Sequence, residues 1–253
     1  MKKFAGLLLI VLISTSAALA QKDVIKILFL GNSYTYYNGL PSLISDMALR
    51  NDKKVVVTQI TRGGNLLDHY AKSDFVLETI NEFDFDFVVL QEQSTAPLFA
   101  AEERTYPGIR KLDTSVRENG GQTVLFMPWA REYADSLRTK MLPGKFYYDV
   151  FDSYNTAQDS LANSYYKIAN EVGAKVAPAG LVWKEFHSRH PEVQLWRPDH
   201  NHPLEIGTVI AAYAIYKTIF DEPAKGVRCP LPISKNLVNE IKQITDELIT
   251  DSK

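Results

Sequence analysis

An acid and a histidine three residues apart, Asp199 and His202 in the tetrapeptide Asp199-His200-Asn201-His202, form the first pattern here with chemical meaning. A carboxylate one turn before an imidazole can accept from its Nδ1–H. That contact fixes the tautomer and stabilises the imidazolium that a general base becomes. His202 is the best base among the five histidines, with the adjacent His200 as the alternative. The matching nucleophile would come from the other end of the chain, Ser33 in Gly31-Asn32-Ser33. A serine hydroxyl is a poor nucleophile until a base takes its proton. Each piece also has a plainer use: Ser33 as a helix N-cap, and Asp199 as a loop residue capping a helix beside two solvated histidines. A zinc site on His200 and His202 finds no supporting ligand spacing elsewhere. Cys229 is the only cysteine, which excludes an internal disulfide and a cysteine-based zinc site. It reads as an incidental thiol.

An acyl-transfer site also needs donors aimed at the oxyanion, each worth about 2.7–4 kcal/mol of transition-state stabilisation. Gly63-Gly64 can present a backbone N–H with no side chain in the way, or can simply be a flexible turn. The stretch Gln91-Glu92-Gln93-Ser94 offers side-chain amides, although a polar stretch after a strand is commonly just loop.

These residues are positioned by an alternation of strand and helix patterns. Lys26–Leu30 is an apolar run that suits a buried parallel strand, with Ser33 just past its C-terminal end, where open α/β sheets place their functional loops. Residues 40–50 carry a helical apolar stripe. Val55–Val57 is β-branched and strand-like, and Gly63-Gly64 follows it. Phe75–Phe83 reads as a helix, Phe87–Leu90 as a third strand, about 101–118 as a helix stopped by Gly120-Gly121, and Thr123–Phe126 as a fourth strand. Residues 155–171 read as helical and Ala174–Ala177 as a fifth strand. Pro203 is expected to start an apolar helix over 204–220, and 234–250 a last amphipathic one. Five strands alternating with helices predict a parallel sheet covered on both faces, in one domain over 21–253. The segment 130–155, with Pro143-Gly144, is the least regular: a lid beside the site or a packed surface excursion. No Gly-x-Ser-x-Gly elbow surrounds Ser33, which argues against the α/β-hydrolase fold.

Residues 1–20 read as a signal peptide: Lys2 and Lys3, an apolar run from Phe4 to Ile13, and Ala18-Leu19-Ala20 before Gln21. The run is short for a membrane span. An exported protein, periplasmic or secreted and bacterial, is the expectation, with no stable membrane span in the mature chain. Loss of Lys2 and Lys3 takes the formal net charge from −2 to −4, and this mild acidity argues against nucleic acid as a partner.

Taken together the motifs resemble the SGNH (GDSL-type) hydrolase superfamily. Gly31-Asn32-Ser33 with Tyr34-Thr35 matches its first block, with asparagine where aspartate is usual. Gly63-Gly64 matches the glycine block, and Asp199-x-x-His202 with Pro203 and Gly207 the last one. The likeness spans about 26–220. It departs at the third block, usually Gly-x-Asn-Asp, where this chain has Gln91-Glu92-Gln93-Ser94. Gln93, or else Gln91, stands in for the asparagine. The resemblance implies a flavodoxin-like three-layer α/β/α fold, a Ser33-His202-Asp199 triad with neither metal nor cofactor, and an oxyanion held by the Ser33 and Gly64 amides with Gln93. It implies hydrolysis of small esters, commonly acetyl groups on sugars, otherwise lipids or thioesters. Tyr36, Tyr37, Trp129 and Trp196 are candidates for stacking on a sugar ring. A lipid-active hydrolase and a non-catalytic binding module on the same fold are the alternatives, with a flavin-binding protein more distant.

Overall fold

The computed structural model describes residues 24–132 and 151–250, and the backbone of 140–142 and 145–146 between them. The signal-peptide expectation and half of the segment 130–155, with Pro143-Gly144, lie outside the described residues.

Five strands form one all-parallel sheet in the order β2-β1-β3-β4-β7, where β1 is Ile25–Gly31, β2 Val55–Thr61, β3 Phe87–Leu90, β4 Gln122–Phe126 and β7 Lys175–Ala177. Strands β5 (Lys140–Leu142) and β6 (Lys145–Phe146) pair antiparallel in a separate ribbon. Side chains alternate across a strand, so the central strands feed two cores. Ile27, Phe29, Val89, Val124 and Phe126 pack on one face against α2 (Leu40–Arg50), α8 (Ala179–Arg189), α9 (Glu205–Phe220) and α10 (Lys235–Leu248). Leu28, Leu30, Val88, Leu90 and Leu125 pack on the other against α3 (Leu67–Ala71), α4 (Asp74–Glu82), α6 (Tyr106–Glu118) and α7 (Tyr154–Val172). The result is the three-layer α/β/α arrangement expected from the sequence. Two short helices complete it, α1 (Ser33–Tyr36) and α5 (Ala96–Phe99).

Three details differ from the sequence reading. The helix expected over 101–118 begins as a π-helical turn, Ala101–Thr105, before α6. Helix α9 starts at Glu205, not at Pro203, because Pro203 forms a bridge with Trp196 that closes the preceding turn. Trp129 and Trp196 are buried and belong to the core, Trp129 stacked between Tyr34 (ring centroids 4.7 Å apart) and Trp183 (4.1 Å), so neither is available to a sugar ring.

Candidate active site

The register places three strand exits side by side. Leu30 pairs with Ile60 on one side and with Leu90 on the other, so Asn32-Ser33, Gly63-Gly64 and Gln91–Gln93 emerge together at the C-terminal edge. Gly31 is required by the crowding there. A Cβ on it would lie 2.2 Å from Thr35 Oγ1 and 2.9 Å from Gln91 Oε1. Asn32 then ties the three exits to one another. Its side chain caps α1 by accepting from the Tyr34 N–H and donates from Nδ2 to Asn65 O at 3.2 Å. Its own N–H donates to Gln91 Oε1 at 3.0 Å. The capping role open to Ser33 is thus filled by Asn32. Ser33 is the first residue of α1, where a backbone N–H has no intrahelical acceptor.

The Ser33 hydroxyl lies 2.8 Å from His202 Nε2, and His202 Nδ1 lies 2.6 Å from Asp199 Oδ2. A carboxylate can only accept, so Nδ1 carries the proton and Nε2 is left as a bare acceptor toward Ser33. Asp199 Oδ1 also accepts from the N–H groups of Asn201 (3.1 Å) and His202 (2.9 Å). Burial works to raise the Asp199 pKa, but these bonds and the His202 charge outweigh it and hold the carboxyl below its ordinary value. The imidazole is fixed by rings as well: Tyr37 stacks on it with centroids 4.3 Å apart, and Tyr34 meets it edge-on at 5.8 Å. Tyr37 is therefore a support for His202, and the Arg197 guanidinium lies over the Tyr37 ring at 5.5 Å from its centroid. The neighbouring Tyr36 is exposed.

The turn carrying Asp199 and His202 is pinned from below. Trp129 Nε1 donates to Asn201 O at 2.9 Å, and the Tyr34 hydroxyl donates to Asn201 Oδ1. Burial pushes the Tyr34 phenol up to about 12, against the pull of Arg131 and Ser94, which keeps it a neutral donor. His200 has φ +56° and directs Nδ1 to Glu132 Oε2 at 2.7 Å, away from Ser33. Asn38 joins first block to last, donating to Pro203 O and Thr208 Oγ1. Nothing in the sequence marked Asn38, Asn201 or Glu132 for these duties, since each bond spans elements far apart in the chain.

Gly64 and Gln93 line one open cleft of about 260 Å³ with Leu66, Thr95, Ala96, Phe99 and Arg104. Gly64 has φ +66°, a left-handed conformation that favours glycine. Gln93 and Gln91 have different duties. Gln93 Oε1 accepts from the N–H groups of Thr95 (2.9 Å) and Ala96 (3.0 Å), which orients the side chain and leaves its amide group as the donor end. Gln91 is buried, its oxygen taken by Asn32 N–H and the Thr35 hydroxyl, its amide by Glu92 O. It braces the strand exits and does not face the cleft. A larger hollow, about 640 Å³ among Lys225, Lys242, Asp246 and Glu247, holds no comparable set of groups. Among the described residues no cluster of metal-ligating side chains occurs, and no helix is long and apolar enough to cross a membrane.

A parallel sheet in this order, with a serine after β1 and an acid–histidine turn before α9, defines the three-layer fold that the SGNH resemblance implies. Solved structures share it. A DUF4886 family protein from Bacteroides uniformis aligns with a TM-score of 0.71 at 15% identity, over 89% of this chain and 94% of that one. The esterase EstA from a Pseudoalteromonas species, inhibited by monoethylphosphonate, aligns at 0.53 and 14% identity over 78% and 97%. A variant of Axe2, an acetyl xylan esterase from Geobacillus stearothermophilus, aligns at 0.52 and 18% identity over 78% and 95%. At these identities the likeness is one of fold. No family model and no curated protein matches the sequence.

Proposed function

We propose that this chain is an exported serine esterase of the SGNH type, acting as one domain over 21–253 once the leader is removed. The observation that carries the reading is the chain of two short contacts, Ser33 Oγ to His202 Nε2 at 2.8 Å and His202 Nδ1 to Asp199 at 2.6 Å. Ser33 Oγ attacks the acyl carbon as Nε2 takes its proton. The carbonyl oxygen becomes an oxyanion held by the Ser33 and Gly64 N–H groups and the Gln93 amide. Collapse breaks the ester C–O bond, and His202 returns the proton to the leaving alcohol. Water, deprotonated by the same nitrogen, then releases the acid from Ser33.

The substrate proposed is a small acyl ester, acetyl first, on a carbohydrate. In support stand the acetyl xylan esterase among proteins of like fold and the modest size of the cleft beside Gly64 and Gln93. Of the four aromatics considered for sugar stacking, Tyr36 remains exposed to do it. Leu66, Ala96 and Phe99 in the cleft wall favour a second reading, a longer or lipid acyl chain. A chain-length series of p-nitrophenyl esters separates the two. The test of the whole reading is p-nitrophenol release from the acetate ester, beside Ser33→Ala. The wild type is expected to turn over and the variant to lose several orders of magnitude. Equal rates in both would remove Ser33 as nucleophile and leave a binding module on this fold.

A further inference from the structure

Glu92 is fully buried at the exit of β3, between the two loops assigned above to the oxyanion. Its Oε1 accepts from the Leu67 N–H at 3.2 Å and from the Gln93 N–H at 2.6 Å. Leu67 lies three residues beyond Gly64, and Gln93 carries the donor amide, so one carboxyl oxygen holds both loops. The other oxygen, Oε2, is buried and forms no hydrogen bond among the described residues. The Thr105 hydroxyl on the π-helical turn is equally buried and unpaired, and it is the side chain disposed to meet that carboxyl.

Among the described residues no ion pair neutralises Glu92. The groups around it are Arg104 on the π-helical turn, Asp68 on α3 and Tyr165 on α7. Arg104 is directed to Asp68 (3.4 Å) and His69 (3.2 Å), and Asp68 also pairs with Lys72. The Tyr165 phenol oxygen accepts from Glu92 N–H at 3.3 Å.

We propose that Glu92 is a positioning residue of the oxyanion site, a neutral carboxyl tying the Gly64 loop to Gln93, and that its ionisation switches the site off. The inference rests on the esterase reading. A protonated Glu92 suits the site: its carbonyl oxygen takes both backbone N–H groups, and Oε2 and the Thr105 hydroxyl can pair in either protonation state. Ionisation leaves a buried charge with no ion-pair partner among the described residues, which costs heavily. It also sets a negative charge directly behind donors that must hold a second one, and like charges at one site oppose each other. Burial pushes the carboxyl up to about 7, against the pull of the Gln93 and Leu67 N–H groups, the nearby Thr105 hydroxyl and the Arg104 charge. The neutral form therefore prevails below neutrality and is titrated away above it.

The test compares wild type, Glu92→Gln and Glu92→Leu in kcat, KM and thermal melting across about pH 5–9. Glutamine reproduces the protonated acid, its oxygen accepting both N–H groups and its amide donating to Thr105. Glu92→Gln is expected to keep the wild-type kcat at pH 6 and to lack the alkaline fall of kcat shown by the wild type. Glu92→Leu is expected to lose about 10²-fold in kcat at every pH with KM little changed. Melting supplies a readout independent of turnover. The folded-state pKa is raised, so its stabilisation is present at low pH and lost as pH rises through it. The wild-type Tm should thus fall relative to Glu92→Gln between about pH 5 and 8. Loss of kcat in Glu92→Gln at pH 6, or parallel melting and pH profiles in the two proteins, overturns the proposal. Should Glu92→Leu fail to fold, the Gln variant alone decides. If the wild type hydrolyses nothing, the esterase reading has failed, and the relative melting still decides whether the tie is neutral.

Discussion

Replacing Asp199 with asparagine keeps the side-chain shape and changes which nitrogen of His202 holds the proton. The asparagine oxygen can still accept from the N–H groups of Asn201 and His202, now bonded at 3.1 and 2.9 Å, so the turn should stay in place. Its amide nitrogen would occupy the position of Oδ2, 2.6 Å from Nδ1. An amide NH2 only donates, so Nδ1 must become the acceptor and the proton moves to Nε2. The nitrogen facing Ser33 then has no lone pair to offer. Forcing the working tautomer leaves two donors opposed, a cost of about 1–3 kcal/mol by analogy with an unmade buried hydrogen bond. The imidazolium formed during attack also loses its carboxylate. At about 4 Å that pairing is worth about 1 kcal/mol in bulk water and about 4 at an effective dielectric of 20. The Asp199 side chain is 46% exposed, which places it toward the lower half, about 2 kcal/mol. The sum, about 3–5 kcal/mol, corresponds to a loss of about 10²–10⁴ in kcat. Steady-state turnover of p-nitrophenyl acetate near pH 8 reads it, with KM expected unchanged because the asparagine keeps the side-chain shape and Asp199 does not line the cleft beside Gly64 and Gln93. The same factor should appear in the rate of phosphonate labelling at Ser33. A variant that keeps kcat within about tenfold, or loses only in KM, would refute the argument that Asp199 sets the tautomer.

Gln93→Glu should separate donation from capping. A carboxylate still accepts from Thr95 and Ala96 N–H, so melting should hold while kcat falls by about 10²–10³. Gln91→Leu should do the reverse, because it strands the buried Asn32 N–H and Thr35 hydroxyl at about 1–3 kcal/mol each; paired calorimetry and kinetics of the two variants check the split. Asp199 gives the acid limb of stability. Its pKa is lowered from 3.8, so its contribution is present above about that pH and lost as pH falls through the folded value. Acid melting curves should show this loss in wild type and not in Asp199→Asn.

The sequence disclosed the elements whose signal is local. The apolar run in β1 and the predominantly apolar α9 were readable because burial on nearly all sides needs no partner to be named. Strand β2 was read only as Val55–Val57, since Thr58, Gln59 and Thr61 break the apolar pattern as an edge strand allows. Helix α8 was missed. It follows Pro178 directly, and its buried Val182, Trp183 and Phe186 form too short a stripe to declare a helix. At the site, Gly31-Asn32-Ser33 and Asp199-x-x-His202 are compact motifs and could be read as such. The third exit could not. Whether Gln91 or Gln93 faces the cleft depends on which amide oxygen meets the N–H groups of Thr95 and Ala96, a matter of loop conformation. Residue type likewise could not tell that Trp129 and Trp196 lie inward while Tyr37 covers His202.

The strand order explains why the parts of this site come from such distant places in the chain. In the order β2-β1-β3 the chain runs from β1 outward to β2 and then back past β1 to β3, so the helices after the two strands leave on opposite faces. That reversal opens a crevice at the C-terminal end of β1, the position where open α/β sheets bind their ligands. Ser33 sits at the crevice by being next after β1, and Gly64 and Gln93 flank it by following its two neighbours. None of the three needs a special loop to reach the others. Asp199 and His202 have no strand exit left among these three and arrive on the turn before α9, anchored by Trp129 and Tyr34. Ser33, Gly64 and Gln93 are thus fixed by the sheet, while His202 is fixed by side-chain bonds. Loosening the anchors, as in Trp129→Phe, should accordingly impair proton transfer before it impairs the oxyanion site.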